Sequence, residues 1–311
     1  MFALNRKGQE MNPASLIRID AMDPDTIEKV SIRAIELSSC WQRRQMPETL
    51  CHARVGLIEE LPGWRNPAAI SLGGAAMGAT VTHLNARLEG SESVEDLASF
   101  LENWFDIIAI RTPSLDKLEQ FSAATKMSVI NLRTHSNHPC EILGDLTYIR
   151  HLKGGWNNIH VVVLGPDANI LSSWIEAASV LPITVTQIAP PELLIAHGGR
   201  IKNFHTTHDK YVIESADVII TDCWPDRVTT ELRSKLERYQ VDRQLLSTCD
   251  ADTVFIPCPP VTRGKEVSSE AMLDKRCHVK EAKDYLLHVQ NSAMEFMYQS
   301  LLSPASTPTR N

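Results

Sequence analysis

A regular exchange between short β-branched, apolar runs and longer segments with apolar side chains at helical spacing constrains this chain more than any other feature. Arg54–Glu59 (RVGLIE), Thr80–Leu84, Ile107–Ile110 and Ser128–Leu132 read as strands. Asp23–Arg43, Ala68–Met77, Val94–Trp104 and Leu115–Thr125 read as the helices around them. The first of these opens on Pro-Asp-Thr and carries Ile27, Val30, Ile32, Ile35 and Leu37. Leu61–Pro67 reads as a loop. Strands separated by a helix can pair only through a crossover, so the pattern predicts a parallel sheet covered on both faces. A long helix from His138 is stopped by Gly154–Gly155. A second series then follows: strand Ile159–Gly165, helix Leu171–Leu181, strand Ile183–Ile188, a helical stretch near Glu192–His197, strands Val218–Thr221 and Thr253–Ile256, and a terminal helix, Glu281–Leu302. The expected fold is α/β, with two open, doubly wound parallel-sheet domains divided at residue 150.

Composition narrows the partners. A length of 311 residues suits two domains of ~150 residues each. With 31 Lys+Arg against 38 Asp+Glu, the net charge of −7 lacks the basic field that binding to a nucleic-acid backbone requires, so no nucleic acid is expected. No apolar run reaches the ~20 residues that span a bilayer, and the opening MFALNRKGQEMNPAS lacks the apolar core of a signal peptide. No membrane partner and a cytoplasmic location are expected. The seven cysteines form an odd, scattered set without a CxxC pair, which points to reduced thiols, no disulfide and no zinc. His197, His205 and His208 lack Cys or carboxylates at ligand spacing, so no metal is expected. GPDANILSSW (165–174) has one glycine where a dinucleotide fingerprint has three, which argues against a nicotinamide; no cofactor is expected.

The string Asn137-His138-Pro139-Cys140-Glu141-Ile142-Leu143-Gly144-Asp145-Leu146 resembles the HPxQ-L-x-D-L signature of aspartate and ornithine carbamoyltransferases. Segments 57–84, 92–111, 165–178, 215–224, 257–268 and 289–297 are similar to that family in order and spacing, so the resemblance covers nearly the whole chain. It implies two Rossmann-like domains, with 1–150 binding carbamoyl phosphate or another anion and 151–311 binding an amino acid. The terminal helix 281–302 would pack back on the first domain, and a homotrimer is implied. The implied chemistry is acyl transfer: an amine attacks the carbonyl of a phosphorylated donor, a tetrahedral oxyanion forms, and phosphate leaves. Such a site needs cations and a helix N-terminus for the dianion and the oxyanion.

Carried over residue by residue, the match is incomplete. The family's Ser-Thr-Arg-Thr-Arg phosphate loop reads Gly63-Trp64-Arg65-Asn66-Pro67 and keeps Arg65 alone. Pro67 suits a first helical turn but removes a guanidinium. Arg111 and His138 match residues that hold phosphate and carbonyl oxygen and are the implied catalytic pair; Glu141 stands where a Gln helps hold the donor. Trp64, Arg65, Asn66, Arg111, His138 and Glu141 thus form the expected donor set, in which Trp64 would fill part of the pocket or stack on a ligand. The mobile-loop Lys is absent from Gly90-Ser91-Glu92-Ser93, and Ser292 follows Asn291 where ornithine-type members carry an Arg. At ~1.5–3 kcal/mol per charge-assisted hydrogen bond, two or three such losses amount to roughly 3–9 kcal/mol, which points to an altered donor, acceptor or both. The expected acceptor set is Asn169, Ser172 (an Asn in ornithine-type members), Asp222, Arg227 and Cys258, with Arg263 and Lys265 beyond Pro257-Cys258-Pro259-Pro260. The resemblance therefore implies a divergent transcarbamoylase-like transferase that moves a carbamoyl or related group to an amino-acid-like amine. The alternatives are a non-catalytic assembly or ligand-sensing subunit, and an ordinary ornithine or aspartate carbamoyltransferase.

Overall fold

Every strand pair among the described residues runs parallel, so each strand must be followed by a crossover before its neighbour can form. The computed structural model describes residues 15–196, 201–225 and 227–302. They form two compact units, one of residues up to 135 together with those from 285 on, the other of residues 136–284.

In the first unit the elements are α1 (Pro24–Gln42), β1 (Arg54–Glu59), α2 (Arg65–Ala76), β2 (Thr80–Leu84), α3 (Val94–Leu101), β3 (Ile107–Arg111), α4 (Leu115–Ala123) and β4 (Ser128–Arg133). The sheet order is β2-β1-β3-β4. Ile107–Arg111 is buried at every position, as expected of an inner strand of a sheet with both faces covered. Ile58, Ile108, Ile110, Leu118, Phe121 and Val129 belong to one core cluster beneath the helices. Asp23, Ser93 and Ser114 cap α1, α3 and α4 through side-chain oxygens that accept backbone N–H groups.

The second unit holds α5 (Pro139–Lys153), β5 (Ile159–Leu164), α6 (Asn169–Val180), β6 (Ile183–Ile188), β7 (Phe204–Thr207), β8 (Val218–Thr221), α7 (Thr230–Glu237), α8 (Arg243–Ser247), β9 (Val254–Pro257) and the start of α9 (Val279–Leu302). Its sheet order is β7-β6-β5-β8-β9. Gly154 ends α5 in the left-handed conformation at φ 81°. The expected α/β class with two doubly wound parallel sheets is what is observed. Chain direction across each sheet reverses between β1 and β3 and between β5 and β8, and those are the places where open α/β sheets bind ligands, at the strands' carboxyl ends.

Some elements differ from the sequence reading. α2 starts at Arg65 rather than Ala68, because the fixed φ of Pro67 is already helical and its missing N–H needs no partner in a first turn. The helical stretch expected near Glu192–His197 is a single 3₁₀ turn, Pro191–Leu193, after Pro190; His197 lies outside the described residues. Phe204–Thr207 is an edge strand that sequence patterning does not reveal, since His205 and Thr206 leave it without an apolar run. α7 and α8 are short and polar, and are set by their caps Thr229 and Asp242.

From Tyr285 on, α9 belongs to the first unit. Arg33 donates from Nε and Nη2 to the two Glu295 carboxylate oxygens at 2.7 and 3.0 Å. Ser292 Oγ donates to the carbonyl of Val30 at 2.9 Å, so this position serves contact with α1. Gln290 Nε2 donates to Asn66 Oδ1 on α2. Asn291 sits directly over Gly73, where an added Cβ would lie 2.0 Å from its Oδ1. Gly73→Ala should therefore cost about 1–3 kcal/mol in urea unfolding. Adding Asn291→Ala should recover most of that loss, and additive losses would show that the two residues do not meet.

Candidate functional site

In the first unit, the β1–α2 loop leaves the sheet beside the end of β3, with Glu59 in register with Arg111. Glu60 N donates to the carbonyl of Arg111 at 2.8 Å, and Thr112 Oγ1 donates to Glu60 Oε2 at 3.0 Å. Arg111 is 6% exposed; its Nε donates to Leu61 O at 3.2 Å and its Nη2 to Pro62 O at 2.8 Å. Gly63 follows at φ 153°, and a Cβ there would come within 2.6 Å of Arg111 Nη2, so only glycine lets the loop close over the guanidinium. Arg111 thus holds the loop itself: a buried guanidinium needs acceptors, and these carbonyls supply them.

Arg65 is the first residue of the 12-residue helix α2 and is half-buried. Its guanidinium carbon lies 5.1 Å from the centroid of the Trp64 ring, and among the described residues no carboxylate pairs with it. The Trp64 indole is 70% exposed, so it stacks on its neighbour and fills no pocket of the unit. Asn66 is buried, and its Oδ1 is already committed to Gln290. Of the loop residues expected to hold a donor anion, Arg65 alone combines an accessible cation with the positive end of a helix.

In the second unit, Leu164 and Thr221 are in register, so the segments after β5 and β8 emerge side by side. Asn169 opens α6 and is 9% exposed, with Ser172 half-buried one turn on. Asp222 follows β8 directly and is half-buried; its Oδ1 accepts from Cys223 N at 2.7 Å. Cys258 N donates to Thr221 O at 2.9 Å, which brings the end of β9 beside the same edge. Burial pushes the Cys258 thiol well above its ordinary range, so it stays protonated and is a poor nucleophile. Arg227 is exposed, and Asp226 lies outside the described residues.

His138 occupies the N-cap position of α5 and is 8% exposed; its backbone N donates to Ser173 Oγ at 2.8 Å. Its Nε2 is 3.9 Å from Glu141 Oε2. Asn137 Nδ2 beside it donates to Glu176 Oε1 at 3.2 Å.

Lys283 at the start of α9 completes a cluster that sequence reasoning missed. Its Nζ lies 2.8 Å from Glu141 Oε1 and 2.7 Å from each Asp145 oxygen, and its side chain is only 11% exposed. Desolvation opposes the ammonium, but the charges of Asp145 and Glu141 outweigh it and hold Lys283 protonated far above its ordinary range. The Asp145 carboxyl is pushed up to about 6 by burial and by the charge of Glu141, with Lys283 acting against both. One available signal was the pair of carboxylates four residues apart among apolar neighbours in CEILGDL, since buried like charges on one helix face require a cation.

That raised carboxyl has a sign. Asp145 keeps its proton in the folded protein at pH values where the unfolded chain has lost it, so its contribution is full below about pH 4 and is lost as pH rises through about 6. Asp145→Asn should remove this fall, narrowing the difference in urea midpoint between pH 4.5 and 7 relative to wild type. An equal fall in both proteins would mean that Asp145 does not titrate there.

The chain is thus a doubly wound α/β protein whose first unit carries a cation at the first turn of α2 and whose second unit carries a His-Glu pair at the start of α5. Residues 14–151 match the family model of the aspartate/ornithine carbamoyltransferase carbamoyl-P binding domain, and residues 157–297 match that of the Asp/Orn binding domain. The chain belongs to the aspartate/ornithine carbamoyltransferase family. Ornithine carbamoyltransferase of Acinetobacter baumannii is 32% identical over 300 residues, 91% of this chain and 97% of its own. That of Pseudomonas syringae pv. tomato is 28% identical over 311 residues, 95% of this chain and 100% of its own. In fold, the chain is similar to the ornithine carbamoyltransferase structures from Burkholderia thailandensis (TM-score 0.84, 24% identity, covering 91% of this chain and 98% of that one) and Thermus thermophilus (TM-score 0.83, 24% identity, 92% and 99%).

Proposed function

We propose that this protein is a carbamoyltransferase that moves a carbamoyl or closely related group from a phosphorylated donor to the amine of an amino acid. The observation that carries the reading is the pair of family models matched in sequence along the chain, with Arg65 kept at the first turn of α2. In this reading residues 1–150 serve the donor and 151–311 the acceptor, and the protein works in the cytoplasm as a homotrimer. Arg65 and the α2 N-terminus neutralise the phosphoryl group. Arg111 shapes the loop that presents them. His138, steadied by Ser173, donates to the carbonyl oxygen as it becomes an oxyanion, with Glu141 beside it. Asn169, Ser172 and Asp222 orient the acceptor, Asp222 taking an ammonium group, and Arg227 and Cys258 complete that set. The amine nitrogen forms the new C–N bond, the bond from carbonyl carbon to phosphate oxygen breaks, and the amine's proton leaves with phosphate or to water.

Relatives named ornithine carbamoyltransferase make ornithine the first acceptor to test. The assay is formation of citrulline from carbamoyl phosphate and ornithine, run beside carbamoyl aspartate formation from aspartate. Wild type is expected to give one of these products, and Arg65→Ala to weaken carbamoyl phosphate binding ~10- to 100-fold, the loss of one charge-assisted hydrogen bond. Because Arg111 donates to its own loop, a ligand-sensing subunit is the second reading. It would bind carbamoyl phosphate in calorimetry and turn over neither acceptor. Binding unaltered by Arg65→Ala would remove the donor site from this place.

A further inference from the structure

The Glu141 carboxylate faces two partners at once. Oε1 lies 2.8 Å from Lys283 Nζ, and Oε2 lies 3.9 Å from His138 Nε2. Lys283 is also bound by both oxygens of Asp145, so its position is set from two points one turn apart on α5. All four side chains are within the second unit and are at most 11% exposed, in surroundings where charges couple more strongly than in water. We propose that Lys283 is a positioning residue for the reaction, which acts through Glu141 on His138: it keeps the carboxylate ionised and aimed, and it limits how strongly that charge draws a proton onto the imidazole. The functional weight of this inference rests on the reading that His138 contacts the donor carbonyl; the coupling itself does not.

Without the ammonium, Glu141 and Asp145 would face each other as unbalanced like charges. Either one takes up a proton, or the nearest base, His138, does. Among the charged or titratable groups near the cluster are Glu176 of α6, which accepts from Asn137, and Cys258 after β9, whose thiol is also within the field of Asp222. Neither Glu176 nor the protonated thiol is a cation, whereas the Lys283 ammonium faces both carboxylates of α5 at 2.7–2.8 Å.

The test follows the His138 ring titration by NMR in histidine-labelled full-length protein, with the signal assigned through His138→Gln. Lys283→Met should raise the His138 midpoint by about one pH unit, because a cation roughly two contacts away is removed. Lys283→Arg should leave it near wild type. Glu141→Gln should lower it, and Glu141→Gln with Lys283→Met should match Glu141→Gln alone, since the carrier of the effect is gone. An unmoved midpoint in Lys283→Met, or a rise of equal size in the double variant, overturns the proposal. If Lys283→Met does not fold, the Glu141→Gln and Lys283→Arg titrations decide: a midpoint not lowered in the first, or raised in the second, overturns it equally. No substrate enters these titrations. Absence of carbamoyl phosphate binding alongside the expected shifts would therefore sink the donor reading and leave the coupling in place.

Discussion

Parallel strand pairing is the constraint on which everything else in the molecule depends. Parallel neighbours send their carboxyl ends out along the same sheet edge, and the required crossovers cover both faces with helices. Polar residues that follow strands are thereby gathered even when they lie far apart in the chain. Arg111 reaches the loop at Leu61 and Pro62 because β1 and β3 are adjacent, and Cys258 bonds Thr221 because β8 and β9 are. The chemistry at these edges then reflects which backbone groups need satisfaction. Arg111 shows the consequence: a guanidinium placed inside a sheet edge bonds the nearest carbonyls and becomes part of the scaffold.

The buried charges of the second unit obey the same accounting of unmet partners. Two carboxylates on one face of α5 would be costly alone, and Lys283 makes them tolerable while leaving one excess negative charge. A proton retained on Asp145 up to about pH 6 follows first from burial of the carboxyl and then from the charge of Glu141, against the pull of Lys283. Hydrophobic residues of similar size could fill the space at no electrostatic cost. What such residues could not do is present a carboxylate oxygen toward His138, and this is why the cluster points to a role beyond packing.

Legibility varied with how local each signal is. β1, β2, β6 and β8 lie at the residues read from patterning alone, because β-branched runs between turn residues encode a strand directly, whether buried as in β1, β6 and β8 or at an exposed edge as in β2. β7 was hidden: an edge strand with polar side chains owes its existence to β6 beside it. Among the candidate site residues, Arg65 and His138, which were named through resemblance, each stand at a helix start. Trp64 was expected to fill part of the pocket or to stack on a ligand; its ring is 70% exposed with the Arg65 guanidinium beside it, which leaves one face open to solvent. Asn66 illustrates the opposite case, where a residue in a ligand-binding motif is claimed by Gln290, 224 positions away.

The order of strands and helices, the apolar cores beneath them and the helix boundaries at Pro139 and Gly154 were determined by the sequence, because each depends on periodicity and on the backbone preferences of a few neighbours. Tertiary structure alone decided which polar groups have partners. Lys283 lies 138 residues from Asp145, and nothing in the neighbourhood of either one names the other. A buried charge is bound by whatever the fold brings within about 3 Å, and that distance is a property of packed elements rather than of any segment of chain.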